Sequence, residues 1–212
     1  MVAAARDVVA IIGGGPAGLA AAATLKPLGL RVRVLEKTHS VGARWRGHYD
    51  RLHLHTTRRM SALPGLEIPR DYGRWVSRDD FARYQEHYVE RHGLALELAT
   101  AVERVDRTDD GWRLSISKGA DKDAVDARWV IVGAGYNNVA FVPSWPGRDR
   151  FTAELTHSQH YRDGARYKGR RVLVVGTGNS GAEIATDLAD HGAQVWWSFR
   201  TPPTILPRSV LG

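Results

Sequence analysis

The chain has 212 residues, a formal net charge of +7 at pH 7 and no cysteine. That length suffices for one large domain or two small ones, and the missing thiols exclude disulfides, thiolate metal sites and a Cys-x-x-Cys redox pair. The basic residues are scattered among 23 acidic ones, which describes a solvated surface with a weak preference for anionic ligands, not a nucleic-acid track.

The stretch from Val8 to Leu25 carries no charge. Gly13, Gly14, Gly15 and Pro16 divide it into a β-branched first part and an alanine-rich second part. It therefore reads as strand, tight turn and helix, not as a membrane span. No basic leader with a cleavage-like end precedes it, and a cytoplasmic protein is expected. The first unit is then strand 7–12, helix 17–28 stopped by Gly29 and shortened by Pro27, and strand 31–35.

From 42 to 74 arginine, histidine, proline and glycine prevail, and loop with short elements is expected. The segment "SRDDFARYQEHYVERHG" predicts a helix. Ser77 caps it, Asp80 takes the reciprocal position, Phe81, Tyr84 and Tyr88 share one face, and Gly93 ends it. "LALELA", "AVERVDR" and "WRLSIS" are strand-like. The last alternates Trp112, Leu114 and Ile116 after a "DDG" turn, which predicts an antiparallel hairpin or small meander. "RWVIVGAG" reads as a buried parallel strand with Trp129 in the core, ending in the small residues Ala134 and Gly135. "FVPSWPG" marks a domain boundary. A second strand–turn–helix–strand unit follows, with strands near 171–175 and 194–199.

The expected fold class is α/β, with two dinucleotide-binding, Rossmann-like units containing parallel sheets, and a small antiparallel hairpin or meander in the first. The expected domains are 1–145, binding one nucleotide, and 146–212, the beginning of a second nucleotide domain. A Rossmann half needs further strands to cover its faces, so incomplete sheet edges would favour self-association.

Each unit carries G-x-G-x-x-G directly after a strand: Gly13, Gly15 and Gly18 in "GGGPAG", and Gly176, Gly178 and Gly181 in "GTGNSG". In such a turn the first glycine makes the bend and the second admits a pyrophosphate to the backbone. The third lets helix and strand pack, and the helix N-terminus, here Pro16–Ala17 or Asn179–Ser180, supplies partial positive charge. One match is weak; two in βαβ context are strong. The units differ just after their second strands, where a side chain faces the adenosine ribose. There the first has Glu36, followed by Lys37; the Glu36 carboxylate accepts hydrogen bonds from the ribose hydroxyls and repels a 2′-phosphate. The second has Arg200, whose guanidinium suits a 2′-phosphate. The pattern favours FAD or NAD in the first cradle and NADPH in the second, and a protein with one site for FAD and another for NADPH is most simply a flavoenzyme reduced by hydride transfer. Without cysteine the electrons go to oxygen, a quinone or another protein.

The chain resembles the class B flavin-containing monooxygenases, and within them the indole-3-pyruvate monooxygenase branch. "EKTHSVGARWRGHYDRLHLHTTR" is similar to that branch's flavin-loop segment, "FTAELTHSQHY" to the family's F-x-G-x-x-x-H-x-x-x-[FY] sequence, and "KGRRVLVVGTGNSGAEIATDLA" to its NADPH motif. Ala43 and Ala153 stand where the family has glycine. Tyr161, where Baeyer–Villiger members carry tryptophan, argues against that subclass. The resemblance implies that Gly13, Gly15 and Gly18 hold the FAD pyrophosphate and Glu36 its ribose. Arg44 and Trp45 would line the flavin side, His55 and Thr56 would lie near the ring system, and the Val102 backbone would meet the adenine. Gly176, Gly178, Asn179, Ser180 and Gly181 would hold the NADPH pyrophosphate, with Arg200 on its 2′-phosphate. It further implies reduction of FAD by NADPH, reaction with molecular oxygen to a C4a-hydroperoxyflavin, and transfer of one oxygen atom to a small organic substrate. No catalytic side chain is assigned.

Two other readings stand beside this one: a flavin reductase serving a protein or quinone, and a catalytically silent nucleotide-binding fragment. His53 and His55, or His157 and His160, have pairwise metal-ligand spacing. Neither pair has a third ligand, so no metal is expected. Neither a nucleic-acid nor a membrane partner is expected.

Overall fold

The computed structural model describes residues 8–137 and 139–204. Asp7, where the expected first strand begins, lies outside the described residues. The chain divides into two compact units. The first comprises the chain to Gly47 together with His53–Ala140; the second comprises His48–Leu52 together with the chain from Phe141. The short passage 48–52 thus leaves the first unit and returns to it.

In the first unit a four-stranded parallel sheet runs in the order β3 (Leu96–Glu97), β2 (Arg31–Leu35), β1 (Val8–Ile12), β7 (Trp129–Val132). Alternation along β1 builds two layers at once. Val9 and Ile11 pack with Ala22 of helix α1 (Pro16–Leu25) and with Val34. Val8 and Ala10 face the other way, onto Leu114, Ile116, Val125 and Ala127. Those four belong to an antiparallel meander of β4 (Ala101–Thr108), β5 (Gly111–Lys118) and β6 (Asp121–Ala127). Two short helices, α2 (Ala43–Arg46) and α3 (Arg58–Ser61), precede α4 (Arg78–His92), whose Phe81, Tyr84 and Tyr88 are buried with Leu19 and Ala23 of α1.

Local chemistry sets these bounds. Lys26–Leu28 tightens into a 3₁₀ turn after α1, with Pro27 inside it and Gly29 left-handed at φ 78°. Ser77 caps α4 by accepting from the Asp80 N–H at 3.1 Å, and its hydroxyl donates to the Asp80 carboxylate at 2.6 Å.

Two expectations need correction, and one strand goes unpredicted. The "LALELA" run yields only the two-residue β3, because Ala99 turns left-handed at φ 53° and ends the pairing. The strand β6, "DKDAVDA", escapes the sequence pattern because only Val125 and Ala127 of it are buried; the rest of the strand is mostly charged. The strand β7 is an outer strand of the sheet, not a covered one. Trp129 is 46% exposed and Val132 73% exposed, so Trp129 is not a core residue.

The second unit holds the parallel pair β8 (Arg171–Val175) and β9 (Gln194–Ser198) with helix α5 (Asn179–Asp190) between them in sequence. Ile184, Ala185 and Leu188 form the buried face of α5, and Val174 is the buried residue of β8. Leu173, Val175 and Trp196 lie exposed on this two-stranded sheet. Among the described residues, no helix is long and apolar enough to cross a membrane.

Candidate functional site

The first cradle is closed wherever its backbone must pack and open where a ligand would approach. Gly13 follows β1 at φ 106°, donates to Leu35 O at 2.8 Å, and approaches Gly133 so closely that a Cβ would overlap the Gly133 carbonyl. A Cβ on Gly18 would overlap the Gly13 carbonyl oxygen, so the third glycine is where helix and turn touch. At Gly15, by contrast, a Cβ would meet nothing within 4 Å. Gly15 is the N-cap of α1, Pro16 follows it, Ala17 is exposed, and no acidic residue occupies the first turn. Unpaired N–H groups and the positive helix end therefore face open space.

Glu36 shapes this loop. Its carboxylate accepts from the Gly14 N–H at 2.5 Å and from the Thr38 N–H at 2.8 Å, and its own carbonyl accepts from Thr100 N. It is partly buried and, among the described residues, faces no cation within ion-pair distance. Each oxygen keeps a second lone pair for a hydroxyl donor. Lys37 beside it is exposed. The third loop of this cradle is Gly133-Ala134-Gly135, held by Gly133 N donating to Ile12 O at 2.8 Å, with Gly135 at φ 86° and Ala134 exposed. Arg44 reaches this region, donating to Asn137 O at 2.8 Å.

The other candidates take different positions. Trp45 stands edge-on to Phe81, centroids 4.7 Å apart, and packs against the α4 core. Val102 lies in β4 opposite Ile116, two residues beyond the Thr100 N–H that holds Glu36. His55 and Thr56 are exposed, Leu52 and Leu54 on the same stretch are buried, and the Thr56 and Ser61 hydroxyls are 2.7 Å apart. His53 bridges to Ser77. Among the described residues no three His, Cys, Asp or Glu side chains group as metal ligands. The two family glycine positions occupied by alanine demand no left-handed backbone. Gly42 takes φ 72° while Ala43 begins α2, and among the described residues Ala99 is the only non-glycine with positive φ.

The second cradle repeats the geometry. Gly176 sits at φ 114° and donates to Ser198 O at 3.0 Å. A Cβ on Gly181 would overlap the Gly176 carbonyl, and one on Gly178 would meet nothing within 4 Å. Gly178 caps α5, which opens with Asn179 and Ser180 and has no acidic residue in its first turn. The sequence reading missed Trp197, whose indole N–H donates to Gly176 O at 2.7 Å and fixes the bend from the neighbouring strand. Arg200 is exposed past β9 and, among the described residues, has no ion-pair or hydrogen-bond partner.

A polar clamp behind α5 was missed as well. The buried Asp187 accepts from the Tyr161 hydroxyl at 2.6 Å and lies 3.6 Å from Arg51 Nη1, which also pairs with Asp190 at 2.8 Å. The Tyr49 hydroxyl donates to Glu183 at 2.9 Å. Burial, with the Asp187 carboxylate adding to it, pushes the Tyr161 phenol far above its ordinary value. The passage 48–52, part of what reads as the flavin-loop segment, thus grips the helix that carries the second cradle.

The chain is 38% identical over 205 residues to an indole-3-pyruvate monooxygenase of Oryza sativa subsp. japonica, covering 95% of this chain and 50% of that protein. A flavin-containing monooxygenase from Stenotrophomonas maltophilia superposes with a TM-score of 0.87 at 30% identity, covering 95% of this chain and 60% of that one. A bacillithiol disulfide reductase from Bacillus cereus gives 0.82 at 25% identity, covering 95% and 61%. The chain spans about half the length of the curated relatives it matches. The relatedness that the three motifs imply is therefore present, on an α/β fold shared with flavin monooxygenases. The family model for pyridine nucleotide-disulphide oxidoreductases matches residues 10–206, and its name refers to a thiol chemistry that a cysteine-free sequence does not itself carry. The chain belongs to the pyridine nucleotide-disulphide oxidoreductase family.

Proposed function

We propose that the chain binds FAD through residues 1–145 and NADPH through residues 146–212, in the service of a monooxygenase reaction on a small organic substrate. The observation that carries this reading is the contrast between Glu36 and Arg200 at two otherwise matching cradles. Both cradles are open at the second glycine and closed at the third, as a pyrophosphate requires. The carboxylate with spare lone pairs favours unsubstituted ribose, and the exposed Arg200 guanidinium favours a 2′-phosphate. The relatives named as indole-3-pyruvate and flavin-containing monooxygenases support the choice of oxygen over a dithiol as electron acceptor.

FAD held by Gly13, Gly15, Gly18 and Glu36 would supply the hydride acceptance and oxygen activation that no side chain of this chain provides. The residues of this chain bind and orient. The α1 and α5 N-termini neutralise phosphate charge, Glu36 holds its loop and the ribose hydroxyls, and Trp197 keeps the second bend in register.

An absorption spectrum after FAD reconstitution, followed by anaerobic titration with NADPH and then NADH, tests the reading. The expected result is a bound flavin band, bleached at lower NADPH than NADH concentration. A protein that stays colourless refutes the FAD assignment, and equal reduction by NADH refutes the role of Arg200.

A further inference from the structure

The first unit contains a recess that neither cradle uses. It has a volume of about 370 Å³ and is lined by Thr57, Arg58, Arg59, Arg70, Gly73 and Arg74. Four of six lining residues are arginines. The two acidic residues of this stretch, Glu67 and Asp71, are not among them, and no ion pair offsets any of the four guanidinium groups among the described residues.

Folding assembles this cluster from two separate segments. Arg58 N donates to Arg74 O at 2.8 Å and Leu54 N to Val76 O at 2.8 Å, which ties the two segments side by side. Gly73 N donates to Arg70 O at 3.1 Å, and Gly73 stands at φ 76°, ψ −176°, a conformation essentially reserved for glycine. Arg70 and Arg74 are thereby set on either side of a tight turn. Arg58 Nη1 donates to Ile68 O at 3.2 Å, whereas its Nε is buried with no acceptor among the described residues. A buried guanidinium N–H without an acceptor is costly, and so is the mutual repulsion of four cations. A bound group of negative charge relieves the repulsion.

We propose that this recess binds a small multivalent oxyanion, a phosphate ester or a di- or tricarboxylate. Guanidinium forks match such oxygens two at a time, and a pocket of this size is at the small end of ligand sites. The exposed positions of Arg59, Arg70 and Arg74 leave the ligand an open approach. The proposal does not depend on FAD or NADPH binding.

The test is calorimetric titration of the full chain with inorganic pyrophosphate and, separately, with citrate, against sodium chloride of equal ionic strength. Because the glycine cradles also accept pyrophosphate, location is read from variants. Arg70→Gln combined with Arg74→Gln changes two exposed side chains and should weaken binding at least about tenfold, whereas Arg91→Gln, outside the recess and both cradles, should change it less than about twofold. Arg58→Gln, checked by circular dichroism for folding, should show the same loss. Binding of both anions identifies a site that reads charge, and binding of pyrophosphate alone identifies a phosphate site; either supports the proposal. Failure of both anions to bind at about 10 mM overturns it, as does binding that the double variant leaves intact. Co-sedimentation with phosphatidylglycerol vesicles but no binding of either free anion also overturns it.

Discussion

Gly15 and Gly18 lie three residues apart in one turn, yet their substitution by alanine should fail in opposite ways. At Gly18 a Cβ would overlap the Gly13 carbonyl oxygen and come within 3.3 Å of the Ile11 side chain, so backbone must move. Overpacking of this kind costs about 1–3 kcal/mol. At roughly 2–4 °C per kcal/mol for a chain of this size, the melting temperature should fall by several degrees. Gly15 has φ −82°, ψ −175° and open space around its Cβ direction, so alanine fits the apoprotein. The modest N-cap preference for glycine and the entropy alanine removes from the unfolded chain nearly cancel, leaving stability within about 0.5 kcal/mol. The new methyl instead fills the space through which a pyrophosphate reaches the backbone. FAD affinity should drop at least tenfold, about 1.4 kcal/mol. Differential scanning fluorimetry of the apoproteins and flavin retention on gel filtration read the two effects separately. A Gly15→Ala protein that holds FAD like the parent refutes the cradle, and an unshifted melting temperature for Gly18→Ala refutes the packing argument.

Other consequences follow from the same geometry. Arg200→Gln should weaken NADPH binding by ten- to a hundredfold, the loss of about 1.5–3 kcal/mol of charge-assisted hydrogen bonding, while NADH binding stays within about twofold; quenching titrations with both nucleotides measure it. Glu36→Ala removes the acceptor of the Gly14 and Thr38 N–H groups, so flavin loss should be accompanied by about 1–3 kcal/mol of destabilisation in urea. Trp197→Phe keeps the ring and deletes the bond to Gly176 O, which should cost about 1 kcal/mol and weaken NADPH binding without affecting FAD. Tyr161 has its phenol raised above the ordinary 10.0. Its contribution is therefore fully present below pH 10 and is lost as pH rises further. The parent should lose stability on going above pH 10 more steeply than Tyr161→Phe, which starts about 1.5–3 kcal/mol lower at neutral pH; denaturant melts across that range decide it.

The parts legible in the sequence are those that a local rule enforces. The glycine turns are visible because a left-handed φ at Gly13 and Gly176, and a carbonyl pressed against Gly18 and Gly181, exclude every other residue from those positions. The helix α4 is visible because Ser77, Asp80 and Gly93 punctuate it and its aromatic residues keep a helical period. Where structure depends on a distant partner, the same reading is blind. Trp197 sits among aromatic neighbours with nothing to mark it, and its role exists only because β9 pairs in register with β8, bringing the indole to Gly176. The strand β6 looks like a charged loop until β5 supplies the partner that makes Val125 and Ala127 an inner face.

The passage 48–52 makes the same point about the site itself. Read linearly, "GHYDRLHLHTT" is one motif beside a flavin. In three dimensions its first half supplies Tyr49 and Arg51 to Glu183, Asp187 and Asp190 on α5. The helix that carries the second glycine cradle is therefore anchored on its polar face by a segment bracketed in sequence on both sides by the first unit. Asp187 is buried with a hydroxyl and a guanidinium facing it, so removing either leaves an incompletely paired charge in a low-dielectric setting. Such a clamp resists small displacements of α5 more than surface ion pairs do. A helix held at Glu183, Asp187 and Asp190 needs less ordering when a ligand meets its N-terminus, and a preformed cradle spends less binding free energy on ordering itself.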